Sequence, residues 1–167
     1  MYRALTADVS LSVVLTYPRL LPLHRLGEPL AQGLSPDNLP ALRATIDKMN
    51  DQGVYLLENG VHMLLWIGSQ ASPSFLADVF GVSSPQQVDS QVSELPDTDT
   101  ELGAAARECV AAARRKRRKH MRLTIMRQHD KLEAVLRHFL VEDRGVDGSA
   151  SYVDYLCHIH KEIRALL

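Results

Sequence analysis

Two apolar runs joined by an Asn-Gly pair, in the stretch from Gly53 to Gly68, are the feature that most constrains this chain. Asn59 and Gly60 tolerate the positive φ angles of a tight primed turn, and the flanking runs are rich in aromatic and branched residues. The stretch therefore predicts a β-hairpin. The doublets Leu56-Leu57 and Leu64-Leu65 break strict alternation, so both faces of the ribbon are expected to be covered. Such a hairpin belongs to a central sheet between layers of helices.

The rest of the chain supplies further strands and the covering helices. Capping signals mark four helix starts. In chain order they are Ser72-Pro73, Thr98 with Glu101, Asp130 with Glu133, and Ser151 with Asp154. Met1 to Thr16 is predicted to be helical, Tyr17 to His24 an edge strand, Gly27 to Pro40 an exposed loop, and Met121 to Arg127 a strand. The sum is an α+β fold: a central mixed β-sheet of about four to five strands, sandwiched between α-helices, with a C-terminal helix.

Several motifs in this pattern resemble one family. Tyr-Leu-Leu-Glu-Asn-Gly at 55–60, followed by Trp66-Ile67-Gly68, is similar to the hairpin of gelsolin-like domains. It most resembles the one at the C-terminal end of the cargo-adaptor subunit of the COPII inner coat, the SEC24 family. Four further segments resemble that family in the same order: Tyr17-Pro18-Arg19-Leu20, Asp78-Val79-Phe80-Gly81-Val82, Val141-Glu142-Asp143-Arg144, and Ser151 to His160.

The resemblance implies a domain organisation and a role. Residues 1–16 are expected to be the remnant of a preceding helical region or a linker, and residues 17–144 the gelsolin-like domain. Residues 145–167 are expected to form a loop and a C-terminal helix that packs on the same domain. The implied function is that of a non-enzymatic structural and protein-interaction domain in a COPII coat subunit, which takes part in cargo selection and ER-to-Golgi transport.

Partners and location follow from the same resemblance. The full-length parent is expected to pair with the SEC23 coat subunit under the small GTPase that recruits both. Its expected place is cytoplasmic, peripheral on the endoplasmic reticulum membrane and on COPII vesicles. The family's zinc site lies in a part absent from this chain, so no cofactor is expected in this segment.

Composition bounds the function classes independently. With 167 residues, of which 46% are hydrophobic, the chain can bury one sizeable core. No apolar run approaches the ~20 residues of a membrane span, and the N-terminus lacks a signal-like pattern, so a soluble, cytosolic chain is expected. Cys109 and Cys157 are expected to be reduced core thiols. The net charge of −1 argues against a nucleic-acid-binding surface.

The basic residues are unevenly distributed. Six of the 19 form one run at the predicted end of a long helix: Arg114, Arg115, Lys116, Arg117, Arg118 and Lys119. One interpretation is a solvated helix end, which the exposed carbonyls favour. The other is an electrostatic interaction patch for an anionic membrane surface or an acidic partner. We expect replacement of the four arginines by Gln to leave folding intact and to weaken such binding in a salt-sensitive way.

Two other function classes are weighed against the coat role. The first is a calcium-regulated, actin-binding gelsolin relative, because Glu101-Leu102-Gly103-Ala104-Ala105-Ala106 resembles a helix start whose glutamate helps bind calcium in severing repeats. The second carboxylate of that site is replaced by Gly53, with Asp51 displaced, so calcium binding is disfavoured and Glu101 is assigned to the capping box.

The other class is a small enzyme. The chain has no phosphate loop, dinucleotide turn, zinc-protease helix or nucleophile elbow. His62 is expected to be a core or inter-layer histidine, and His158 and His160 to point to different sides of a helix. No catalytic, cofactor-binding or metal-ligating residue is therefore assigned.

Overall fold

The computed structural model of the chain describes residues 9–27, 39–117, 121–145 and 147–166. Its centre is a sheet of four strands: β1 (Arg19–Pro22), β2 (Val54–Glu58), β3 (Met63–Ile67) and β4 (Leu123–Arg127). The strands lie in the order β1-β2-β3-β4, so β1 is at an edge, as its prolines predicted. The first two pairings are antiparallel and β3 pairs with β4 in parallel, which confirms the predicted mixed sheet.

Five α-helices accompany the sheet in the described residues. They are α1 (Val9–Thr16), α2 (Pro73–Phe80), α3 (Glu101–Arg115), α4 (Glu133–His138) and α5 (Tyr152–Ala165). Short 3₁₀ turns occupy Leu23–Gly27, Ile46–Lys48 and Pro85–Gln87. The helix predicted for Met1 to Thr16 is found where α1 is described. Most of the predicted loop from Gly27 to Pro40 lies outside the described residues.

The sheet has a core on each face. On one face Leu56 and Leu65 of the hairpin pack in a cluster with residues of α2 and α3, including Leu76 and Val110. On the other face the neighbouring hairpin residues join Leu136 and Leu140 of α4 and its C-terminal end, together with the segment around the Ile46–Lys48 turn. Every residue of β2 and β3 is buried. The leucine doublets therefore feed opposite cores, because successive strand residues point to opposite faces.

The hairpin turn differs from the prediction in one respect. The Asn59 amide donates to the His62 carbonyl at 3.2 Å, so the two central turn residues are Gly60 and Val61. Gly60 has a φ of 80°, but Asn59 does not have a positive φ. The Asn59 side-chain oxygen instead accepts from the amides of Val61 and His62, at 3.0 and 2.7 Å. Asn59 thus stabilises the turn through its side-chain oxygen and not by adopting a positive φ angle.

The predicted cap of α3 is wrong by two residues. Thr100 is the N-cap, and its hydroxyl oxygen accepts from the Gly103 amide at 3.0 Å. The Thr98 hydroxyl donates to the carbonyl of Asp78, near the end of α2, at 2.7 Å. Glu101 is the first residue of the helix and is exposed, so the predicted capping box is absent. The Thr100 hydroxyl also donates to the Asp78 carbonyl, at 2.6 Å, so both threonines of the Thr-Asp-Thr repeat hold the start of α3 against α2.

The other predicted caps have mixed outcomes. Gly81 ends α2 in the left-handed conformation, with a φ of 69°, and Ser151 with Asp154 forms the expected capping box of α5. Asp130 does not cap α4, which begins at Glu133 with Leu132 as its N-cap. The Asp130 carboxylate accepts instead from the amide of Arg127 at the end of β4, at 2.9 Å.

Gly68, the last residue of the Trp-Ile-Gly motif, lies where the end of the hairpin approaches the backbone at Asp51. A Cβ at this position would lie 2.1 Å from the Asp51 carbonyl oxygen, which is backbone and cannot rotate away. We expect Gly68→Ala to lower the free energy of unfolding by about 2–3 kcal/mol, the range of overpacking substitutions. Urea denaturation followed by Trp66 fluorescence measures it.

Gly81→Ala is the matched control. Its new Cβ would meet nothing within 4 Å, although the φ of 69° is unfavourable for alanine. We expect a loss of only about 1 kcal/mol there. Equal losses at the two glycines would contradict the close approach of Gly68 to Asp51.

Candidate functional site

The basic run at the end of α3 is the first candidate surface. Arg114 is mostly buried, with its Nη1 at 2.7 Å from the Glu94 carboxylate and its Nε donating to the Met121 carbonyl at 3.0 Å. Arg115 is exposed and pairs with Glu108 on the preceding turns of the same helix. Lys116 is exposed. Arg118 and Lys119 lie outside the described residues, so their part of the predicted patch stays a prediction.

Arg117 turns into the protein. Its Nε donates to Oε1 of Glu58 at 2.7 Å, and the side chains are only 7% and 1% exposed. Glu58 is the last residue of β2, so this ion pair joins the chain after α3 to the central hairpin. Among the described residues, the other carboxylate oxygen of Glu58 has no hydrogen-bond partner, and it is buried. Removal of Arg117 would therefore leave the Glu58 carboxylate without this compensating charge in a low-dielectric interior.

These contacts correct one prediction about the basic run. Replacement of its arginines was expected to leave folding intact, but Arg114 and Arg117 are parts of the folded structure. Within the described part of the run, Arg115 and Lys116 are the residues presented to solvent. The composition of a charge run does not show which of its members turn inward, since that depends on where buried carboxylates lie.

The segment Val141 to Arg144, one of the motifs that carried the resemblance, forms a polar clamp, and we call it the 141–144 clamp. One carboxylate oxygen of Glu142 accepts from the Tyr17 hydroxyl and the other from Nε of Arg43, at 2.7 Å in the second case. The Glu142 amide also donates to the Ala44 carbonyl at 3.1 Å. The clamp therefore ties the chain before β1 and the segment at Arg43 and Ala44 to the C-terminal part of the domain.

The next two residues of the clamp extend it. Asp143 accepts from the Thr45 hydroxyl at 2.6 Å and from the Ile46 amide at 2.8 Å, so it holds the start of the Ile46–Lys48 turn. Arg144 donates from Nε and Nη2 to the two carboxylate oxygens of Asp154, at 3.0 and 3.1 Å. A two-point guanidinium–carboxylate pair fixes orientation as well as distance. It anchors the first turn of α5.

The clamp perturbs the acidity of its carboxylates. Hydrogen bonds from Arg144, then from the backbone and side chain of Ser151, lower the pKa of Asp154 from 3.8 to about 2. The pKa of Glu142 is also lowered, first by the hydrogen bond from Arg43, although partial burial opposes the shift. Both shifts favour the charged carboxylate, as expected where donors surround it.

Helix α5 is the second candidate surface, and its placement corrects a prediction. The helix was expected to pack on the domain along a stripe of apolar residues. Its first turn does so, because the Tyr152 amide donates to the Val141 carbonyl at 2.6 Å and its ring lies edge-on to Tyr17 at 5.4 Å. No residue of the helix is buried, however. The exposed apolar side chains along the helix and at its C-cap are Val153, Tyr155, Leu156, Ile159, Ile163 and Leu166.

The other residues singled out in the sequence have clear positions. Cys109 is buried, as predicted, but Cys157 is exposed on α5. His62 is exposed beside the hairpin turn, where its ring lies 5.4 Å from that of Phe139, so the prediction of a core histidine is wrong. Among the described residues, no cluster of three or more His, Cys, Asp or Glu side chains is arranged to hold a metal ion. No described helix is long and apolar enough to cross a membrane.

An open groove of about 710 Å³ lies between α4, the clamp and the first turn of α5. The charged residues that line it already have partners. Arg137 pairs with Glu133 at 3.0 Å, and Arg144 pairs with Asp154. The groove thus offers side chains that hold segments together rather than a set of converging reactive groups.

The comparisons with known proteins match this architecture. A family model described as the gelsolin repeat matches residues 37–109, which span β2, β3, α2 and the first part of α3. The crystal structure of the human COPII-coat protein Sec24c superposes with a TM-score of 0.82 at 41% identity, over 95% of this chain and 20% of that one. The mixed sheet with helices on both faces, together with these two matches, defines the class of protein. The chain is a gelsolin-like domain.

Relatives that match nearly the whole chain identify the family within the gelsolin-like class. Human protein transport protein Sec24C is 42% identical over 96% of this chain, and human Sec24D is 37% identical over 98%. An Arabidopsis thaliana relative, protein transport protein SEC24 B, is 32% identical over 92%. The chain belongs to the SEC24 family, as the motifs predicted. It spans only 14–15% of the length of these relatives.

The Arg117–Glu58 pair allows a test of whether the basic run contains both structural and solvent-exposed residues. We expect Arg117→Gln to lower the free energy of unfolding by about 3 kcal/mol, because it strands the buried Glu58 carboxylate. Lys116→Gln, at the exposed neighbouring position, should change it by less than about 0.5 kcal/mol. Chemical denaturation of both variants measures the difference. A loss of similar size in the two variants would show that the ion pair is not structural.

The Arg144–Asp154 pair makes the attachment of α5 depend on pH. The folded-state pKa of Asp154 is about 2, below its ordinary value of 3.8, so the charged carboxylate stabilises the fold above pH ~4. This contribution is lost as the pH falls from about 4 to about 2. Hydrogen exchange of the first-turn amides of α5, measured across this window, should become faster at low pH beyond the change in intrinsic rate.

Arg144→Gln should weaken that pH dependence, because it removes the largest cause of the lowered pKa. Arg122→Gln, at an exposed position next to β4, is the control and should leave the dependence as in the unchanged chain. The same pH profile in all three proteins would refute a role for the pair.

Proposed function

We propose that this chain is the gelsolin-like domain of a COPII coat subunit, with a non-enzymatic structural and protein-interaction role in cargo selection and ER-to-Golgi protein transport. The observation that carries the proposal is the match to the human COPII-coat protein Sec24c over 95% of the chain. The relatives are named as protein transport proteins, and the chain spans about a seventh of their length. We therefore assign the activity of a whole coat subunit to this chain only as a proposal.

The fold suits a domain that holds the shape of a larger assembly. A sheet buried on both faces and a polar clamp that ties the N-terminal, central and C-terminal segments together resist deformation. The surfaces left for contacts lie on the helices and turns around it. We propose that the domain works within a full-length parent that pairs with the SEC23 subunit under a small GTPase. Its place would be peripheral, on the cytoplasmic face of the endoplasmic reticulum membrane and on COPII vesicles.

The actin-binding alternative is not supported. The matches that span most of the chain are to SEC24 transport proteins, and the carboxylate it would use for calcium, Glu101, is an exposed first residue of α3. The Asp51 carboxylate accepts from the Gln70 side-chain amide at 2.7 Å. We propose no calcium, zinc or other cofactor for this segment.

The proposed electrostatic patch is narrower than the six-residue run. Arg115 and Lys116 are the described members that face solvent, and they would supply its contacts with an acidic partner or an anionic membrane surface. Arg114 and Arg117 are used inside the domain. A surface contact of this kind weakens with salt, since exposed charges are screened over about 10 Å at 0.1 M ionic strength.

A replacement experiment tests the coat role. The segment of full-length human Sec24C that aligns with this chain is exchanged for these 167 residues. We expect the hybrid to bind the SEC23 subunit and to be recruited, with it, to acidic liposomes by the GTP-loaded small GTPase. Co-sedimentation with the liposomes measures recruitment, and Sec24C without the aligned segment is the control. A folded, monodisperse hybrid that recovers no SEC23 would contradict the proposal.

A further inference from the structure

Helix α5 presents a continuous apolar stripe to solvent. Residues Tyr152, Tyr155, Leu156, Ile159 and Ile163 follow the i, i+3, i+4, i+7 spacing of one helix face. From Tyr155 onward these side chains are 37–55% exposed. The charged residues Asp154, Lys161 and Arg164 lie away from this stripe, about 120–200° around the helix from Tyr152, and Glu162 borders it on the side of Tyr155. The pattern is that of a helix built to bury one face, and in the described structure the face has no cover.

The stripe is held in a fixed direction rather than carried on a loose tail. The capping box, the two-point Arg144–Asp154 pair and the backbone bond from Tyr152 to Val141 all act on the first turn. A 14-residue helix is marginal in water on its own. Anchoring one end therefore orients the helix, while the stabilisation of its remaining turns would come from whatever covers the stripe.

The size of the stripe argues against a second copy of this chain as the cover. The helix is about 21 Å long at 1.5 Å per residue. A stripe about 21 Å long on a helix about 10 Å wide has a footprint of about 200 Å². Two paired stripes of this size fall below the roughly 1,200–2,000 Å² that stable specific interfaces bury. A free copy in solution would bind too weakly to remain in place.

A small apolar face is sufficient when its partner is on the same polypeptide. A tethered partner is present at an effective concentration of about millimolar, so a modest contact stays occupied. This chain spans 14–15% of the length of its relatives, so in a parent of similar length the partner surface can be supplied in cis. Helix α1 supports this choice, because its Val9 and Val13 are 81% and 58% exposed apolar residues of a helix without a charged residue.

We propose that the α5 stripe docks into an apolar groove in the remainder of a SEC24-type polypeptide, so that α5 joins this domain to its neighbour within one subunit. The inference rests on the proposed function, because it requires the longer parent. Its recognition mode is a helix in a groove, with Leu156, Ile159 and Ile163 as the anchors.

Thiol labelling can test the docking, because the chain has one buried and one exposed cysteine. Ile159→Cys in a Cys157→Ser background places a thiol on the stripe. The native Cys157, two residues earlier and about 200° around the helix, is the matched control off the stripe. Both are labelled with a maleimide in the 167-residue chain and in the Sec24C hybrid, and the rate at each site is measured by peptide mass spectrometry. Ile163→Cys repeats the measurement at a second stripe position.

In the 167-residue chain we expect the stripe and control thiols to react at similar rates. In the hybrid we expect the stripe thiols to react at least about tenfold more slowly, as for a face covered some nine-tenths of the time, and Cys157 to be unchanged. Equal labelling of the stripe in both proteins would overturn the proposal. Protection already in the 167-residue chain, with dimers in sedimentation at micromolar concentration, would overturn it in favour of a second copy.

The same hybrid separates this inference from the coat role. Protected stripe thiols without SEC23 binding would support the docking and contradict the proposed function. SEC23 binding with fully reactive stripe thiols would support the proposed function and contradict the docking.

Discussion

Burial of the β2–β3 hairpin on both faces is the constraint on which the rest of this structure depends. All ten of its strand residues are buried, so each face needs its own layer of cover. Helices α2 and α3 supply one layer, and α4 with the Ile46–Lys48 turn supplies the other. The outer strands complete the backbone hydrogen bonds on both edges of the hairpin, which a buried ribbon cannot leave unpaired. The helices are therefore placed by the hairpin, not by their own propensity.

Polar contacts are then used to close the domain at its margins. The Glu58–Arg117 pair joins the end of β2 to the chain after α3, and the 141–144 clamp joins the C-terminal segment to the regions around Tyr17 and Thr45. Both sets connect residues far apart in sequence. The basic run and the acidic 141–144 segment have the composition of surface features. Some of their residues nevertheless hold distant parts of the fold together. In the part of the chain that the structure describes, Lys116 and the apolar side chains of α5 are exposed features that take no part in these contacts.

The SEC24 family membership and the exposed stripe of α5 fit one picture. A domain that forms a small fraction of a long polypeptide need not cover all its own apolar surface, because neighbouring parts of the chain can do so. The core of this domain is buried without such neighbouring parts, whereas the apolar stripe of its last helix stays exposed. In the docking that we propose, the clamp sets the direction of the C-terminal helix and a neighbouring surface covers its apolar face.

The sequence by itself determined the elements whose cause is local. The leucine doublets predicted a hairpin covered on both faces, Gly81 predicted the end of α2, and Ser151 with Asp154 predicted the start of α5. The family motifs predicted the fold class. The candidate sites were less visible: the six-residue basic run was found, but its division into buried and exposed members was not.

Only the tertiary structure decided the features that depend on distant neighbours. The Asp78 carbonyl accepts from the hydroxyls of Thr98 and Thr100, buried Glu58 holds Arg117 inside, and the lack of a facing layer leaves Ile159 in solvent. The physical reason is the same in each case. Periodicity and capping signals act over a few residues, whereas the partner of a hydroxyl, a charge or an apolar stripe is chosen by what folding brings beside it.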